Sequence, residues 1–370
     1  MEKEKLLFIA SCEVDLSLRT GVTIKIINQL SVLEKEYDVF LVAFSKSGIL
    51  IYNDGKKRTI ESRNRRKERI RQCRALCDEH QIKKCFIRFS ALEPSFIMML
   101  KAVRACGADI VLEIPTYPYD SELKDSLKHR LLLVCDRMLR KKLKKYVSRI
   151  VTYSEDKRIY GIDCINIGNG IDVFGQPVSE EYVPGSRIVF IGVAKVSFWH
   201  GYDRLIKGIA RYTGPYEVLF NVVGDGPALE ECKSLADSLG VLNKVVFYGF
   251  KSGRELDEIY YHSNIGVDCL GLHRKGMSRV SSLKSREYAA RGIPILTATF
   301  FDTIPDDWKY LMKEPSDDTE IDVEHVLSRF LKIADNKDYR YEIREFAEKN
   351  LDISATFQPV LDYYSGISNK

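Results

Sequence analysis

One pattern repeats along the chain and limits what it can fold into: a short aliphatic run, a helix-like stretch, then another aliphatic run. "KLLFIAS" is followed by a helical pattern from Thr20 to Glu36. "DVFLVAFS" and "KCFIRFS" follow, with a basic helix between them. A helix from Pro94, "ADIVLEIP", a basic amphipathic helix and "RIVTYS" complete the first series. These aliphatic runs lack the polar alternation of a half-solvated sheet, so they read as strands covered on both faces, as in parallel sheets with helices on either side. A second series starts at "RIVFIGVA" (187–194) and continues through a helix from Gly201, "VLFNVVGDG", "VVFYGF", "IGVDCL" and "IPILTA". At 370 residues the chain exceeds one ordinary core, so two domains are expected. The Gly/Pro/acidic stretch "NIGNGIDVFGQPVSEEYVPGS" reads as the linker. The expected class is α/β with two Rossmann-like doubly wound domains, 1–184 and 185–352. A C-terminal helix, 353–370, is expected to pack back on the first domain. Such sheets bind ligands at their strand C-terminal ends, which would face a cleft.

Several chemistries lose their usual support. "GNG" at 168–170 lacks the third glycine of a dinucleotide fingerprint, and "GDGP" at 224–227 alone is a tight turn. There is no P-loop, G-x-S-x-G or HExxH. The nine cysteines form no CxxC pair and fit a reducing compartment. No apolar run has the length of a signal peptide or membrane helix, so a cytoplasmic location is expected. "DDW" at 306–308 reads as a loop, not a metal site.

Charge is uneven, +8 over residues 1–184 and −3 over 185–370. The excess lies in "KKRTIESRNRRKERIRQCR" (56–74) and "KHRLLLVCDRMLRKKLKKY" (128–146). The second interleaves basic residues with Leu132, Cys135, Leu139, Leu143 and Tyr146 at helical spacing. Two readings stay open: a solvated face over a core stripe, or a surface lying on anionic lipid or a diphosphate-bearing acceptor, with Arg137, Arg140, Lys141, Lys144 and Lys145 facing the membrane. Nucleic acid is disfavoured, because no recognised motif or aromatic interleaving accompanies the charge.

Five segments then occur in a set order: "NGID" (169–172), "FIGVAKVSFWHGYDRLIKG" (190–208), "VVGDGP" (222–227), "VVFYGF" (245–250) and "LKSREYAARGIPIL" (283–296). Together they resemble the donor-binding domain of GT-B glycosyltransferases, most closely the family-4 enzymes. "EIPTYPYD" (113–120) resembles a motif of some polysaccharide-assembly members. In that family a glutamate at the position of Glu287 accepts hydrogen bonds from both ribose hydroxyls of a nucleotide-sugar, a task suited to a carboxylate with several lone pairs. The resemblance also implies that amides near Ser281, Ser282 and Leu283, with Lys284, meet the diphosphate at a helix start. The plainer reading of Glu287 is a surface residue paired with Lys284 or Arg291, worth about 0.2–0.5 kcal/mol.

The chain departs from the family at two points. Arg279 stands where many members have a second, sugar-holding glutamate. The usual Arg and Lys of the diphosphate clamp are represented by Lys195 and His200. His200 would serve as a cation only with its pKa held up; otherwise it packs beside Trp199. In the first domain Arg19, Thr20 and Gly21 occupy the first strand-to-helix loop, where Gly21 would let backbone approach the donor. Glu113, Tyr117 and Asp120 are candidate acceptor contacts, Glu113 being equally a buried structural carboxylate. The family's first-domain catalytic histidine has no counterpart.

The resemblance thus implies a retaining, metal-independent transferase without cofactor. Its nucleotide-diphosphate sugar would be a co-substrate and its acceptor a glycan or lipid-linked saccharide, with the enzyme peripheral on the inner membrane face. A nucleotide-sugar 2-epimerase or hydrolase on the same fold is the first alternative. A catalytically inactive, partner-binding relative is the second.

Overall fold

The computed structural model describes residues 3–17, 21–120, 127–183, 185 and 187–368. The chain divides into two compact units, Met1–Ile167 with Thr356–Lys370, and Gly168–Ala355.

The first unit runs β1 (Lys5–Glu13), α1 (Gly21–Glu36), β2 (Asp38–Phe44), β3 (Gly48–Asn53), β4 (Lys56–Glu61), α2 (Arg65–His80), β5 (Lys84–Arg88), α3 (Pro94–Ala105), β6 (Asp109–Ile114), α4 (Leu127–Leu139), a 3₁₀ turn Arg140–Lys145, β7 (Arg149–Thr152), β8 (Arg158–Ile159) and β9 (Ile162–Asn166). Its sheet has the order β4-β3-β2-β1-β5-β6-β7-β9-β8. Strands β2, β1, β5, β6, β7 and β9 are parallel. Leu6 to Ala10 of β1 are buried throughout, as a strand covered on both faces requires. The first basic stretch is not all helix. Lys56–Glu61 pairs antiparallel with Gly48–Asn53, and the hairpin turns at Asp54 and Gly55, both at positive φ (46° and 74°).

The second unit runs β10 (Ile188–Val193), α5 (Tyr202–Arg211), β11 (Val218–Val223), α6 (Leu229–Ser238), β12 (Val245–Gly249), α7 (Arg254–Tyr261), β13 (Ile265–Val267), β14 (Arg279–Val280), α8 (Leu283–Ala290), β15 (Ile295–Thr297), β16 (Phe300–Phe301), β17 (Leu311–Lys313), α9 (Val323–Ala334) and α10 (Tyr339–Asn350). The main sheet is parallel, in the order β12-β11-β10-β13-β15-β17. Its first strand, β10, lies inside the sheet between β11 and β13. Connections therefore leave it toward both edges, which makes the C-terminal ends of β10 and β13 a topological switch point.

The division falls at Ile167/Gly168 rather than near Pro184. The expected linker is part of the second unit's core: Ile171 and Val173 are buried there. Ile171 N–H donates to Leu351 O at 3.1 Å, and Ile353 N–H donates back to Ile171 O at 2.7 Å. Glycine and proline in this stretch shape an ordered crossing strap. A last helix, α11 (Ile353–Ser368), supplies Thr356 onward to the first unit. There the Phe357 ring stacks edge-on against Phe86 at 5.3 Å and the Tyr363 hydroxyl donates to Asp109 at 3.0 Å.

Candidate functional site

Two close approaches set the site at the switch point of the second unit. On β13, a Cβ at Gly266 would lie 2.3 Å from the Tyr288 ring, so only glycine lets α8 settle this near the sheet. The Tyr288 hydroxyl then donates to Val267 O at 3.1 Å and accepts from Val193 N–H at 3.2 Å. One phenol thereby ties α8 to the ends of β10 and β13. The loops after β10 and β11 are equally close. Gly224 sits at φ 124°, and a Cβ there would fall 1.9 Å from Ala194 O. "GDG" is a structural crossing of two loops.

Helix α8 starts at Leu283 after Ser282, whose side chain makes no cap. The preceding turn is braced: Ser281 Oγ donates to Asp302 at 2.8 Å, and Arg286 reaches Asp302 at 2.5 Å and Thr303 at 3.0 Å. First-turn amides without a side-chain cap on a fixed turn form an anion-binding end.

Lys284 points from this turn to Asp268, its Nζ 3.6 Å from Oδ1, with side-chain exposures of 11% and 0%. Neither Lys284 Nζ nor Asp268 Oδ2 has a hydrogen-bond partner. The Lys284 pKa lies above its ordinary value: burial opposes the charge, while Cys269 and Asp268 outweigh it. Burial pushes the Cys269 thiol itself up to about 12, so at neutral pH the carboxylate is the partner that counts. Asp268 gave no sequence signal beyond its place at a strand end.

Glu287 is half-buried on the same helix and accepts from the Tyr260 hydroxyl at 2.9 Å. Burial raises its pKa, with Tyr260 and Arg291 pulling the other way. The plain pairing expected for it is not found. Lys284 faces Asp268, and Arg291 donates to Asp257 and Gln176 at 2.6 and 2.5 Å while lying 4.2 Å over the Tyr260 ring.

Without an anion beside it, His200 is a neutral group. It closes the turn Phe198–His200, and its Nδ1 accepts from Ser197 N–H at 3.0 Å, which places the ring proton on Nε2. Burial drives its pKa down to about 3; Lys284 adds to this, Asp268 opposes it, and Lys275 contributes further lowering. An unfolded imidazole titrates near 6.5. This group's contribution to stability is therefore complete above that pH. It declines as pH falls toward the folded value, at about 1.4 kcal/mol per unit. His200→Asn, which keeps an acceptor but cannot titrate, is expected to flatten that slope in urea melts at pH 7.5, 6.0 and 5.0; an unchanged slope would assign it to another group.

Lys195 is exposed on the loop after β10. Arg279 lies on β14, paired with β16, and donates to Phe301 O at 3.1 Å.

In the first unit, Gly21 opens α1, while Arg19 and Thr20 lie outside the described residues. Glu113 is fully buried and accepts from Arg88 (2.7 Å), Gln29 (2.8 Å) and Tyr153 (2.5 Å). These partners occupy its oxygens, so the structural reading holds over acceptor binding. Tyr117 precedes a cis proline, and its ring packs on Tyr160. Asp120 is held by Arg137 and Arg140 at 2.7 and 2.5 Å, which removes it as a free acceptor contact. Arg140, also 2.6 Å from Asp136 and stacked on Tyr119, is corrected from a membrane-facing charge to an internal brace. Lys141, Lys144 and Lys145 are exposed. The outward face of α4 also shows Leu131, Val134 and Met138, 66%, 57% and 74% exposed, an apolar ridge the core stripe did not announce.

Residues 179–302 match the family model described as glycosyl transferases group 1. This stretch contains β10 to β16, with Lys195, His200, Asp268, Arg279, Ser281, Ser282, Leu283, Lys284 and Glu287. A lipopolysaccharide 1,6-galactosyltransferase of Salmonella typhimurium is 34% identical over 91 residues, covering 22% of this chain and 24% of that protein. The matched stretch thus spans about a quarter of that relative. The fold is shared over nearly whole chains. A glycosyltransferase from Rickettsia africae superposes with a TM-score of 0.64 at 12% identity, covering 99% of each chain. Anabaena HepE, in complex with UDP and glucose, superposes with a TM-score of 0.57 at 13% identity, covering 98% and 99%. The architecture is the GT-B fold of those glycosyltransferases.

Proposed function

We propose that this chain, a GT-B fold whose second unit carries a glycosyl transferases group 1 region, is a glycosyltransferase of surface polysaccharide assembly. It takes a sugar from a nucleoside-diphosphate sugar and passes it to a glycan or lipid-linked saccharide, with retention and without a metal. The observation that carries the reading is the start of α8, where three recognition elements meet. Glu287 is fixed by Tyr260, and the nearby Arg291 is hydrogen-bonded to Asp257 instead of to it, so it can accept from a vicinal diol. Two residues of the same turn supply uncapped amides and a buried ammonium for a diphosphate. In this scheme the acceptor hydroxyl attacks on the leaving-group side and the departing diphosphate takes its proton. Lys284, the amides of the turn, the His200 Nε2–H and the exposed Lys195 stabilise developing charge. HepE was solved with UDP and glucose, a nucleoside diphosphate and a sugar, the two parts of the kind of donor proposed here.

The test is turnover over a panel of nucleoside-diphosphate sugars in excess EDTA. Transfer to acceptor with release of nucleoside diphosphate is expected to persist. Abolition by EDTA and rescue by magnesium would overturn the metal-free scheme. Donor consumption without acceptor would favour an epimerase or hydrolase, and absence of nucleotide binding a non-catalytic protein.

The acceptor's lipid link has its own support. The Leu131, Val134 and Met138 ridge lies on α4 just before Lys141, Lys144 and Lys145, the chemistry of a helix lying on anionic lipid. Among the described residues no helix is long and apolar enough to cross a membrane. At roughly 1 kcal/mol per basic residue near the surface, replacing those three lysines with Gln should release the protein from anionic vesicles at low salt. Turnover on a short soluble acceptor should hardly change. Equal binding before and after substitution would return α4 to an ordinary solvated face.

A further inference from the structure

The first unit carries a second feature at its own switch point. Strand β1 lies between β2 and β5, so a ligand crevice belongs at its C-terminal end. A cavity of about 590 Å³ opens there, lined among others by Ser11, Glu13, Arg63, Arg65, Arg69 and Ser90. The N-terminal end of the sixteen-residue helix α2 borders it: Asn64 caps Lys67 N–H at 3.1 Å. Arg65 is matched to Glu13 at 3.2 Å and to Ser45 O at 2.7 Å, and Arg66 to Glu93 at 2.6 Å.

Arg69, one turn in, differs. It is 2% exposed, its Nε and Nη1 have no hydrogen-bond partner, and its guanidinium lies 4.2 Å over the Phe44 ring. The carboxylate that acts on it, Glu93, is bound by Arg66 instead; a buried guanidinium with two nitrogens unpaired is costly, and an apolar side chain of similar length would serve packing better. The cost makes sense if the partner arrives from outside.

We infer that this cavity is an anion subsite, with Arg69 at its floor, built to take a phosphate group carried by the acceptor; the acceptor part rests on the transferase reading. The four guanidiniums of Arg63, Arg65, Arg66 and Arg69 face the two carboxylates of Glu13 and Glu93. This leaves two positive charges, the complement of a phosphomonoester or diphosphate at neutral pH. Arginine forks match phosphate oxygens in pairs, which favours phosphate over a single carboxylate.

The experiment is titration of inorganic pyrophosphate into the whole protein by calorimetry and thermal shift, with nucleoside diphosphate saturating so that the α8 end is occupied. Wild type is expected to bind and to melt higher as the ligand rises. Arg69→Met should weaken binding roughly tenfold to a hundredfold while melting, without ligand, at or above the wild-type temperature. Arg63→Gln, at the exposed rim, should weaken it less. A lower melting temperature with unchanged pyrophosphate affinity would make Arg69 a structural residue and overturn the proposal. A phosphorylated hexose in solution and vesicles carrying a polyprenyl phosphate separate the two sources. Arg69→Met should weaken the true source at least tenfold, and weakening neither overturns the subsite. Loss of nucleotide binding with Arg69-dependent pyrophosphate binding would sink the transferase reading alone. Nucleotide binding without Arg69-dependent pyrophosphate binding would sink the subsite alone.

Discussion

Glu287→Ala is expected to weaken nucleoside-diphosphate binding roughly tenfold to a hundredfold, the loss of a charge-assisted hydrogen bond worth about 1.5–3 kcal/mol. The fold should survive, since the Tyr260 hydroxyl that donates to Glu287 is the one protein hydrogen bond to its side chain described above. Glu287→Gln sharpens the point. Burial raises the Glu287 pKa, with Tyr260 and Arg291 opposing. A raised carboxyl pKa means the folded state prefers the proton. That preference is fully present below the unfolded value near 4.3 and is lost as pH rises through the folded value. At pH 7.5 the charge is therefore a burden, and Glu287→Gln should melt higher there and no differently at pH 4. Calorimetric titration with thermal melts at both pH values checks this. Unchanged affinity would remove Glu287 from the site, and a lower melting temperature at pH 7.5 would mean the charge serves folding.

The second large effect belongs to Lys284. Replacing it with Met leaves Asp268 buried and uncompensated, and breaking a buried pair this way costs about 3–5 kcal/mol. Asp268→Asn added to Lys284→Met should recover much of that stability, because no lone charge remains. Turnover should behave differently. In the proposed scheme the lost ammonium stabilises the leaving diphosphate, so both variants should fall roughly a hundredfold or more in kcat, and the double variant should not recover. Denaturant melts and steady-state rates on the single and double variants separate the outcomes. Recovery of activity together with stability would make the pair a structural element only.

These expectations divide by what the sequence could show. Alternation was legible because parallel strands such as Leu6 to Ala10 must be apolar on both faces, and that leaves a mark in any reading. The hairpin of β3 and β4 left its mark too, in Asn53-Asp54-Gly55, a turn sequence suited to positive φ. Its basic strand residues nonetheless disguised it as helix. The strap 168–183 was misread because Gly and Pro mark irregular backbone whether or not it is packed. Glu287 was legible through a family-like segment. Asp268, Arg69 and the neutral state of His200 were not. Each is defined by who stands next to it across the fold: Lys284 for the first, the Phe44 ring for the second, the Ser197 amide for the third. Pairing of Arg140 with Asp120 and Asp136 likewise converts one apparent surface charge into a local brace.

Helix α11 has a consequence for biosynthesis. The first unit is built from two pieces of chain, Met1–Ile167 and Thr356–Lys370, and the whole second unit is translated between them. At about 5–20 residues per second, that interval amounts to roughly 10–40 s. Throughout it the nascent first unit lacks Phe357 and Tyr364, both fully buried, the phenylalanine alone worth about 1.5–3 kcal/mol of burial. The ring surfaces of Phe86 and Tyr37 that these side chains cover are left open on the ribosome. The second unit, continuous in sequence, has all its residues synthesised before the first unit does. The half with the anion cavity is then completed only when the last helix emerges.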